Sequence, residues 1–258
     1  MATINRSSMT DILKSEKAVD FYTDSLKILN SSGIPFMVGG TFAVNAYLEL
    51  SRPTKDLDVF CKAGDYPKIV NVFSEAGYRI QVTDERWLAK VFKHRHFFDL
   101  IFNSVNAPMP VTDDWFKESQ TRKILGIEVK VLPATELIWS KAFVQNRDKF
   151  DGNDIVHLML TENKNTDWKR LLHYMDHYWE VLFIHILRFR FVYPSEREKV
   201  PKWLLDELVQ RFLDQIKLPT AKEKSCRGRL LSYSDFEIDV TKWGFSDIYG
   251  WSKNGKTS

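Results

Sequence analysis

Apolar residues recur at two different spacings along the chain, and the change between them divides the sequence. Over residues 1–132, short apolar runs alternate with segments whose apolar residues follow the helical period, which is typical of a sheet flanked by helices. Over residues 133–217 the helical period dominates. We therefore predict a mixed α+β domain over 1–132, a helical domain over 133–217, and an aromatic-rich tail over 218–258 that packs on the body of the protein.

The first domain is predicted to place a glycine turn between a strand and a helix. Its helices are expected over residues 18–30, 41–50 and 66–76. Its strands are expected over residues 34–38, 55–60, 78–83, 87–92 and 96–102, with a hairpin over 123–132. In the second half, helices are expected over residues 133–146, 151–161, 167–191 and 201–216.

Composition narrows the class of protein without identifying its chemistry. Hydrophobic residues make up 44% of the chain, enough for a buried core, and the formal charge of +3 is too small to indicate a nucleic-acid ligand. The longest apolar segment, residues 179–193, is interrupted by charged side chains and predicts a buried helix rather than a membrane span. Two cysteines without C-x-x-C spacing and a polar N-terminal segment favour a cytoplasmic protein without a disulfide framework.

Asp56 and Asp58 form the first candidate for chemistry. Alternate residues of a strand share one face, so both carboxylates project to the same side while Leu57 points to the other. Two carboxylates this close repel each other unless a cation neutralises them, and oxygen ligands suit Mg²⁺ or Mn²⁺. The alternative interpretation is an exposed strand with two hydrated aspartates, because an isolated D-x-D pair is common by chance.

Gly39, Gly40 and Thr41 form the second candidate, at the turn between the apolar strand and the following helix. Glycines there let phosphate oxygens approach backbone amides, and the helix N-terminus supplies partial positive charge. Thr41 adds a hydroxyl donor. A tight turn without a ligand is the alternative, and the G-x-x-x-x-G-K pattern of a P-loop is absent from the sequence.

Asp99 lies in the middle of a strongly apolar strand, where an unpaired charge is costly. If this strand lies beside the strand of Asp58, the Asp99 carboxylate completes a cluster of three carboxylates with Asp56 and Asp58. If the strand extends that far back, the same two-residue alternation places Lys93 and Arg95 on the face of Asp99, close to a triphosphate or an acceptor. The alternative for both basic residues is an exposed strand end.

Three segments together resemble the DNA-polymerase-beta-like nucleotidyltransferase superfamily. A G-G-[ST] turn, a D-x-D pair and a later strand aspartate occur in that order in residues 36–43 (FMVGGTFA), 52–60 (RPTKDLDVF) and 98–101 (FDLI). Within the superfamily, the chain resembles a group of bacterial stand-alone proteins with a helical C-terminal domain through residues 149–158, 189–197 and 226–231. The resemblance implies a nucleotidyltransferase fold, with a mixed sheet and flanking helices, followed by a mostly helical domain.

The same resemblance implies a reaction and a role for each acid. The enzyme would transfer a nucleoside monophosphate from a nucleoside triphosphate to an acceptor hydroxyl, with release of pyrophosphate and a two-metal mechanism. Asp56 and Asp58 would hold the metal that bridges the phosphates, and Asp99 would help bind a second metal and orient or deprotonate the acceptor hydroxyl. The basic residues expected to bind the nucleotide, ATP included, are Lys55, Lys93, Arg95 and Lys141.

Lys141 is included because related enzymes often carry a basic residue on the first helix of the second domain. A hydrated or salt-bridged lysine is the alternative. Asp151 and Asp154 are expected to cap the next helix, and contact with an acceptor or pairing with Lys141 and Arg147 are the alternatives. The acceptor is open among a small molecule, RNA and protein. The alternative function is a nucleotide-binding regulatory or toxin–antitoxin protein, whose aromatic tail would contact a protein partner.

Overall fold

Seven strands form one mixed sheet. The structure, a computed structural model, describes residue 13, residues 15–103 and residues 110–248. The strands are β1 (Met37–Val38), β2 (Asp58–Phe60), β3 (Arg79–Asp84), β4 (Leu88–Lys93), β5 (His96–Ile101), β6 (Gln120–Ile124) and β7 (Ile127–Val131). They lie in the order β3-β4-β5-β2-β1-β7-β6. β2 pairs with β5 in parallel, as does β1 with β7, and the other neighbouring pairs are antiparallel.

The helices of the same half pack their apolar faces against this sheet. They are α1 (Glu16–Ser32), α2 (Gly40–Leu48), α3 (Tyr66–Glu75) and α4 (Asp113–Glu118). On α1 the buried residues Tyr22, Leu26 and Leu29 follow the helical period, and the helix ends at Gly33 in the left-handed conformation. The short helix α4 was not predicted, because six residues are too few to show a helical period.

The aromatic core beneath β5 fixes the orientation of that strand. The ring of Phe98 packs on Phe73 of α3 at a centroid distance of 5.0 Å, and Phe73 also meets Tyr78 edge-on at 5.0 Å. Phe98 and Leu100 are completely buried and flank Asp99. Burial of each such side chain contributes about 1.5–3 kcal/mol. A one-residue shift of register would lose that burial, so Asp99 is held on the opposite face of the sheet.

The second half is mostly helical. Its helices are α5 (Ala134–Ala142), α6 (Gly152–Thr161), α7 (Trp168–Tyr174), α8 (Trp179–Val192), α9 (Lys202–Ile216) and α10 (Glu237–Thr241). The single helix predicted over residues 167–191 is wrong, because a 3₁₀ turn at Asp176–Tyr178 interrupts it. The carboxylate of Asp176 binds Arg211 of α9 at 2.8 Å, a tertiary contact that helical spacing on either side of the turn could not reveal.

The chain divides into two compact units, Met1–Leu137 and Ile138–Ser258, and the division falls within α5. The predicted class, a mixed α+β sheet domain with a helical C-terminal part, is confirmed. In the part of the chain that the structure describes, no helix is both long and apolar enough to cross a membrane.

The tail belongs to the second unit as far as residue 248. It contains two short paired strands, β8 (Ser225–Cys226) and β9 (Ser246–Asp247), and a buried ion pair between Arg229 and Asp247 at 2.9 Å. Trp243, in contrast, is 56% exposed, although the aromatic residues of the tail were expected to pack. Tyr249 and Trp251, which belong to the same prediction, lie outside the described residues.

Candidate active site

Asp58 and Asp99 are neighbours across two parallel strands. The pairing of β2 with β5 sets Asp58 beside Asp99 and Val59 beside Leu100, and the Asp99 amide donates to the Leu57 carbonyl at 2.9 Å. Leu57, Val59 and Leu100 are completely buried, so the two carboxylates share the other face. Adjacent strands lie about 4.8 Å apart, which brings the two like charges close together.

Tyr22 of α1 experiences the negative electrostatic potential of all three predicted acids. Its side chain is buried, and its hydroxyl donates to the carbonyl of Lys55 at 2.9 Å. Burial raises the pKa of the Tyr22 phenol, and the negative charges of Asp56, Asp99 and Asp58 raise it further. All three carboxylates therefore contribute to raising the pKa of the same phenol. From the sequence, Tyr22 was only one of the apolar positions on its helix, so its place at the site was missed.

The glycine turn lies directly against Asp58. The Gly39 amide donates to the Asp58 carbonyl at 2.9 Å, and α2 begins at the next residue. Gly40 has φ of +56°, a left-handed conformation, and a Cβ atom there would overlap Oδ2 of Asp58. Only glycine both adopts the left-handed conformation at low free-energy cost and leaves room for the Asp58 carboxylate. The turn thus presents the N-terminus of α2, with Thr41 half-exposed, next to a carboxylate of the cluster.

Lys90 is a fourth charged residue of the cluster, and sequence reasoning missed it. Lys90 pairs directly with Asp99 across the β4–β5 hairpin, and its Nζ lies 2.6 Å from Asp99 Oδ1. The ammonium also lies 4.0 Å from the centroid of the Phe97 ring. Placing the hairpin turn at residues 94–95 would have revealed this pair, because the register of a two-residue turn determines every partner along the hairpin.

Lys93 lies on the opposite face of the sheet from Asp99, so its predicted position beside that carboxylate is wrong. In the hairpin, Lys93 pairs with His96 and Lys90 pairs with Asp99. Paired residues share a face, and His96 is an odd number of residues from Asp99, so Lys93 points away from the cluster. Its Nζ lies instead 4.6 Å from the centroid of the Tyr78 ring.

Arg95 does not belong to a strand, so the predicted alternation does not apply to it. Arg95 and His94 form the turn between β4 and β5, and His94 has φ of +55°. Arg95 lines a cavity of about 610 Å³ whose other charged residues include Lys17 and Asp20. Lys55 is exposed in the loop before β2, and its contact with a nucleotide stays a prediction.

In the second unit, Lys141 is buried and bound to two carboxylates. Its Nζ lies 2.9 Å from Asp151 and 3.0 Å from Asp154. Burial disfavours the ammonium, but the charges of Asp151 and Asp154 outweigh it and raise the pKa of Lys141, which is therefore cationic at neutral pH. Asp151 makes no side-chain bond to the first amides of α6, so its predicted capping role is wrong. Nucleotide binding by Lys141 stays a prediction.

The oxygen donors of the cluster suit a divalent cation by their chemistry. Mg²⁺ prefers carboxylate oxygens, keeps several waters and takes phosphate oxygens as further ligands. As the side chains stand, no group of three or more His, Cys, Asp or Glu residues within the described ranges is arranged to hold a metal ion. Oδ1 of Asp99 already binds the Lys90 ammonium. Cation binding by Asp56 and Asp58 stays a prediction.

Comparison with solved structures finds several similar proteins at low identity. LnuA, a lincosamide antibiotic adenylyltransferase with bound lincomycin, is 14% identical with a TM-score of 0.40, over 56% of this chain and 96% of that chain. ANT(2'')-Ia in complex with adenylyl-2''-tobramycin is 15% identical with a TM-score of 0.40, over 75% and 98%. JHP933 from Helicobacter pylori is 13% identical with a TM-score of 0.39, over 88% and 98%.

Sequence comparison gives the family. No curated protein matches the chain. The model of the aminoglycoside-2''-adenylyltransferase family, in contrast, matches residues 23–168, more than half of the 258 residues and a stretch that includes all three acids. The predicted resemblance to nucleotidyltransferases is thereby confirmed. The chain belongs to the aminoglycoside-2''-adenylyltransferase family, and it is a nucleotidyltransferase that transfers a nucleoside monophosphate from a nucleoside triphosphate to an acceptor hydroxyl.

Proposed function

We propose that Asp56, Asp58 and Asp99 form the active site of this transfer, opposite the glycine turn. The observation that carries the proposal is the direct pairing of Asp58 with Asp99 across parallel strands, with Gly40 packed against Asp58. The arrangement combines a phosphate-binding turn with acidic oxygens on one side of a sheet. Phosphoryl-type transfer depends chiefly on positioning and on neutralisation of charge, and these are the groups that provide both.

The triphosphate binds at the turn in this proposal. Backbone amides at the start of α2 point outward from the helix, and the helix dipole adds partial positive charge there. α2 begins at Gly40, beside the Asp58 carboxylate, so phosphates held by the amides lie next to the acids. The hydroxyl of Thr41 supplies one further donor. Lys55, exposed in the loop before β2, is proposed to neutralise part of the phosphate charge.

Asp56 and Asp58 are the residues that would hold a magnesium ion. When bound, the ion supplies positive charge that neutralises the phosphate oxygens and the leaving pyrophosphate. Asp58 is oriented for this role by its strand, and its backbone carbonyl accepts the Gly39 amide at 2.9 Å. Next to Asp56, the hydroxyl of Thr54 donates to the Asp56 backbone carbonyl at 3.1 Å and lies 3.4 Å from Asp56 Oδ1.

Asp99 is the proposed base. An acceptor hydroxyl attacks the α-phosphorus, a new oxygen–phosphorus bond forms, and the bond from that phosphorus to the bridging oxygen of pyrophosphate breaks. The proton of the hydroxyl passes to the Asp99 carboxylate, and the electron pair of the broken bond leaves with pyrophosphate. Asp99 is suited to this role because it is 15% exposed, on the same sheet face as Asp58, and fixed by the buried residues on either side.

We further propose ATP as the nucleotide and a small hydroxyl-bearing molecule as the acceptor. Support comes from the family, which is described by adenylyl transfer to the 2'' position of aminoglycosides. A nucleotide-binding protein with a protein partner is the second candidate, favoured by exposed apolar side chains in the second unit, among them Phe191 at 87%. Tight ATP binding without turnover on any acceptor would favour that second candidate.

The test is transfer of label from [α-³²P]ATP to a panel of acceptors, beginning with aminoglycosides, in the presence of Mg²⁺. Asp58→Asn keeps the shape of the side chain and removes its charge, and we expect it to lower turnover by about 10²–10³-fold or more. Asp24→Asn is the matched control, because Asp24 is exposed on α1. Circular dichroism checks that both variants are folded. Turnover by Asp58→Asn within threefold of the wild type would reject the site.

A further inference from the structure

Lys90 is held in a fixed position beside Asp99. The antiparallel pairing of β4 with β5 sets the two residues directly opposite each other on one face of the sheet. The 2.6 Å distance from Nζ to Oδ1 is that of a short charge-assisted hydrogen bond. Asp99 is 15% exposed and the Lys90 side chain 25%, so the pair is largely withdrawn from water. Such a pair is held much more firmly than an exposed ion pair.

Phe97 confines the ammonium from a second direction. Its ring centroid lies 4.0 Å from Lys90 Nζ, within the range of a favourable cation–π contact. Phe92 packs on Phe97 with ring centroids 5.3 Å apart, which supports the ring in that position. The hairpin therefore provides both the cation and the aromatic surface that keeps it at Asp99.

The position of this ammonium has a consequence for the metal content of the site. Asp99 and Asp58 face the same side from directly paired positions, so their mutual repulsion is relieved by any cation bound to Asp99. Lys90 already supplies a positive charge at Oδ1. A second divalent ion on Asp99 would be ligated at about 2 Å, while the Lys90 ammonium lies at hydrogen-bond distance from the same carboxylate. The two positive charges would therefore be close together and would repel each other.

We propose that Lys90 is the resident cation of Asp99, so that the site takes one divalent ion, at Asp56 and Asp58, instead of two. The proposal rests on the proposed function of the three acids. Lys90 acts through Asp99 as a positioning residue: it orients the carboxylate toward the acceptor hydroxyl and offsets the charge of Asp58. The two-metal scheme implied by the sequence is replaced by one metal ion and one lysine.

The experiment counts Mn²⁺ ions bound by the full chain in the presence of α,β-methylene-ATP, by electron paramagnetic resonance. Wild type is expected to bind about one ion and Lys90→Met about two, because the repelling ammonium is gone. Lys90→Arg should keep the wild-type count. Lys123→Met, which removes an exposed strand lysine of β6, is the matched control and should also keep it. Steady-state kinetics should show a kcat for Lys90→Met at least about tenfold lower, with KM for ATP changed less than about threefold.

The inference would be overturned by a wild-type count of two, which needs no folded variant, or by a Lys90→Met count that stays at one. An unchanged kcat in Lys90→Met would also overturn it. These failures are distinct from failure of the proposed function. If Asp58→Asn turns over like the wild type, the active site itself is rejected. If Asp58→Asn is inactive while the wild type binds two Mn²⁺ ions, only the role of Lys90 is rejected.

Discussion

Replacing Gly40 by alanine separates the placement of Asp58 from the stability of the fold. Gly40 has φ of +56°, and an added Cβ would overlap Oδ2 of Asp58. That oxygen is the free end of a rotatable side chain, so the carboxylate can turn aside without unfolding the protein. We therefore expect the Gly40→Ala protein to fold with Asp58 displaced from the position that it now holds beside Asp99.

Gly33→Ala is a closely matched control for this change. Gly33 has φ of +67°, and nothing lies within 4 Å of a Cβ built there. An L-residue in the left-handed conformation costs about 1–2 kcal/mol, so both variants carry the same backbone strain. At about 2–4 °C per kcal/mol for a chain of this length, each should lower Tm by about 2–8 °C. Only Gly40→Ala adds the overlap with Asp58.

Activity should distinguish the two variants far more than stability does. A displacement of about 1 Å in a catalytic group typically costs about 10²-fold in rate, equivalent to about 2.7 kcal/mol of transition-state stabilisation. We expect that loss of kcat/KM for Gly40→Ala, and a change of less than twofold for Gly33→Ala, measured by release of pyrophosphate alongside thermal unfolding. Equal activity of the two variants would show that contact between Gly40 and Asp58 does not position the acid.

Two further predictions concern the basic residues. Lys93→Met should change KM for ATP by less than about twofold, because Lys93 pairs with His96 on the face away from Asp99; a rise of tenfold in KM would contradict that placement. Lys141→Met should destabilise the protein by about 3–5 kcal/mol, because it leaves the Asp151 and Asp154 carboxylates unpaired. Adding Asp151→Asn and Asp154→Asn should recover part of the free energy of unfolding, and urea titration that finds no recovery would refute the ion-pair explanation.

Local patterns were enough to predict the elements that carry Asp58 and Asp99, whereas Asp56 lies in the irregular segment before β2 and not in the strand predicted over residues 55–60. The alternation of Asp56 and Asp58 with buried residues, and the glycine turn after an apolar strand, depend only on neighbours in sequence. Asp99 could be recognised as unusual because its strand is otherwise apolar. That the Asp58 and Asp99 strands are neighbours was only a condition in the sequence argument, because pairing between residues 41 positions apart in the numbering leaves no local signal.

The charged neighbour of Asp99 depends on the register of the β4–β5 hairpin, and the sequence specifies that register less well than it specifies the strands. Strands predicted over residues 87–92 and 96–102 left the length of the connecting turn undefined, whereas β4 in fact extends to Lys93 and the turn contains two residues. That single residue decides that Lys90, and not Lys93, faces Asp99. Lys141 is a different case. Its pairing with Asp151 and Asp154 was one of the alternatives, and hydrophobic spacing contains no information that could favour this ion pair over helix capping.

The length of the β4–β5 turn therefore selects the neighbour of the third acid. If β4 slid by one position, Lys90 would be exchanged for an apolar neighbour, Ala89 or Val91, without altering any acid. Under the role that we propose for Lys90, a change of register at this hairpin in homologous chains would change the metal requirement while the acidic motif stays intact. Alignments anchored on the acids alone would overlook such a divergence.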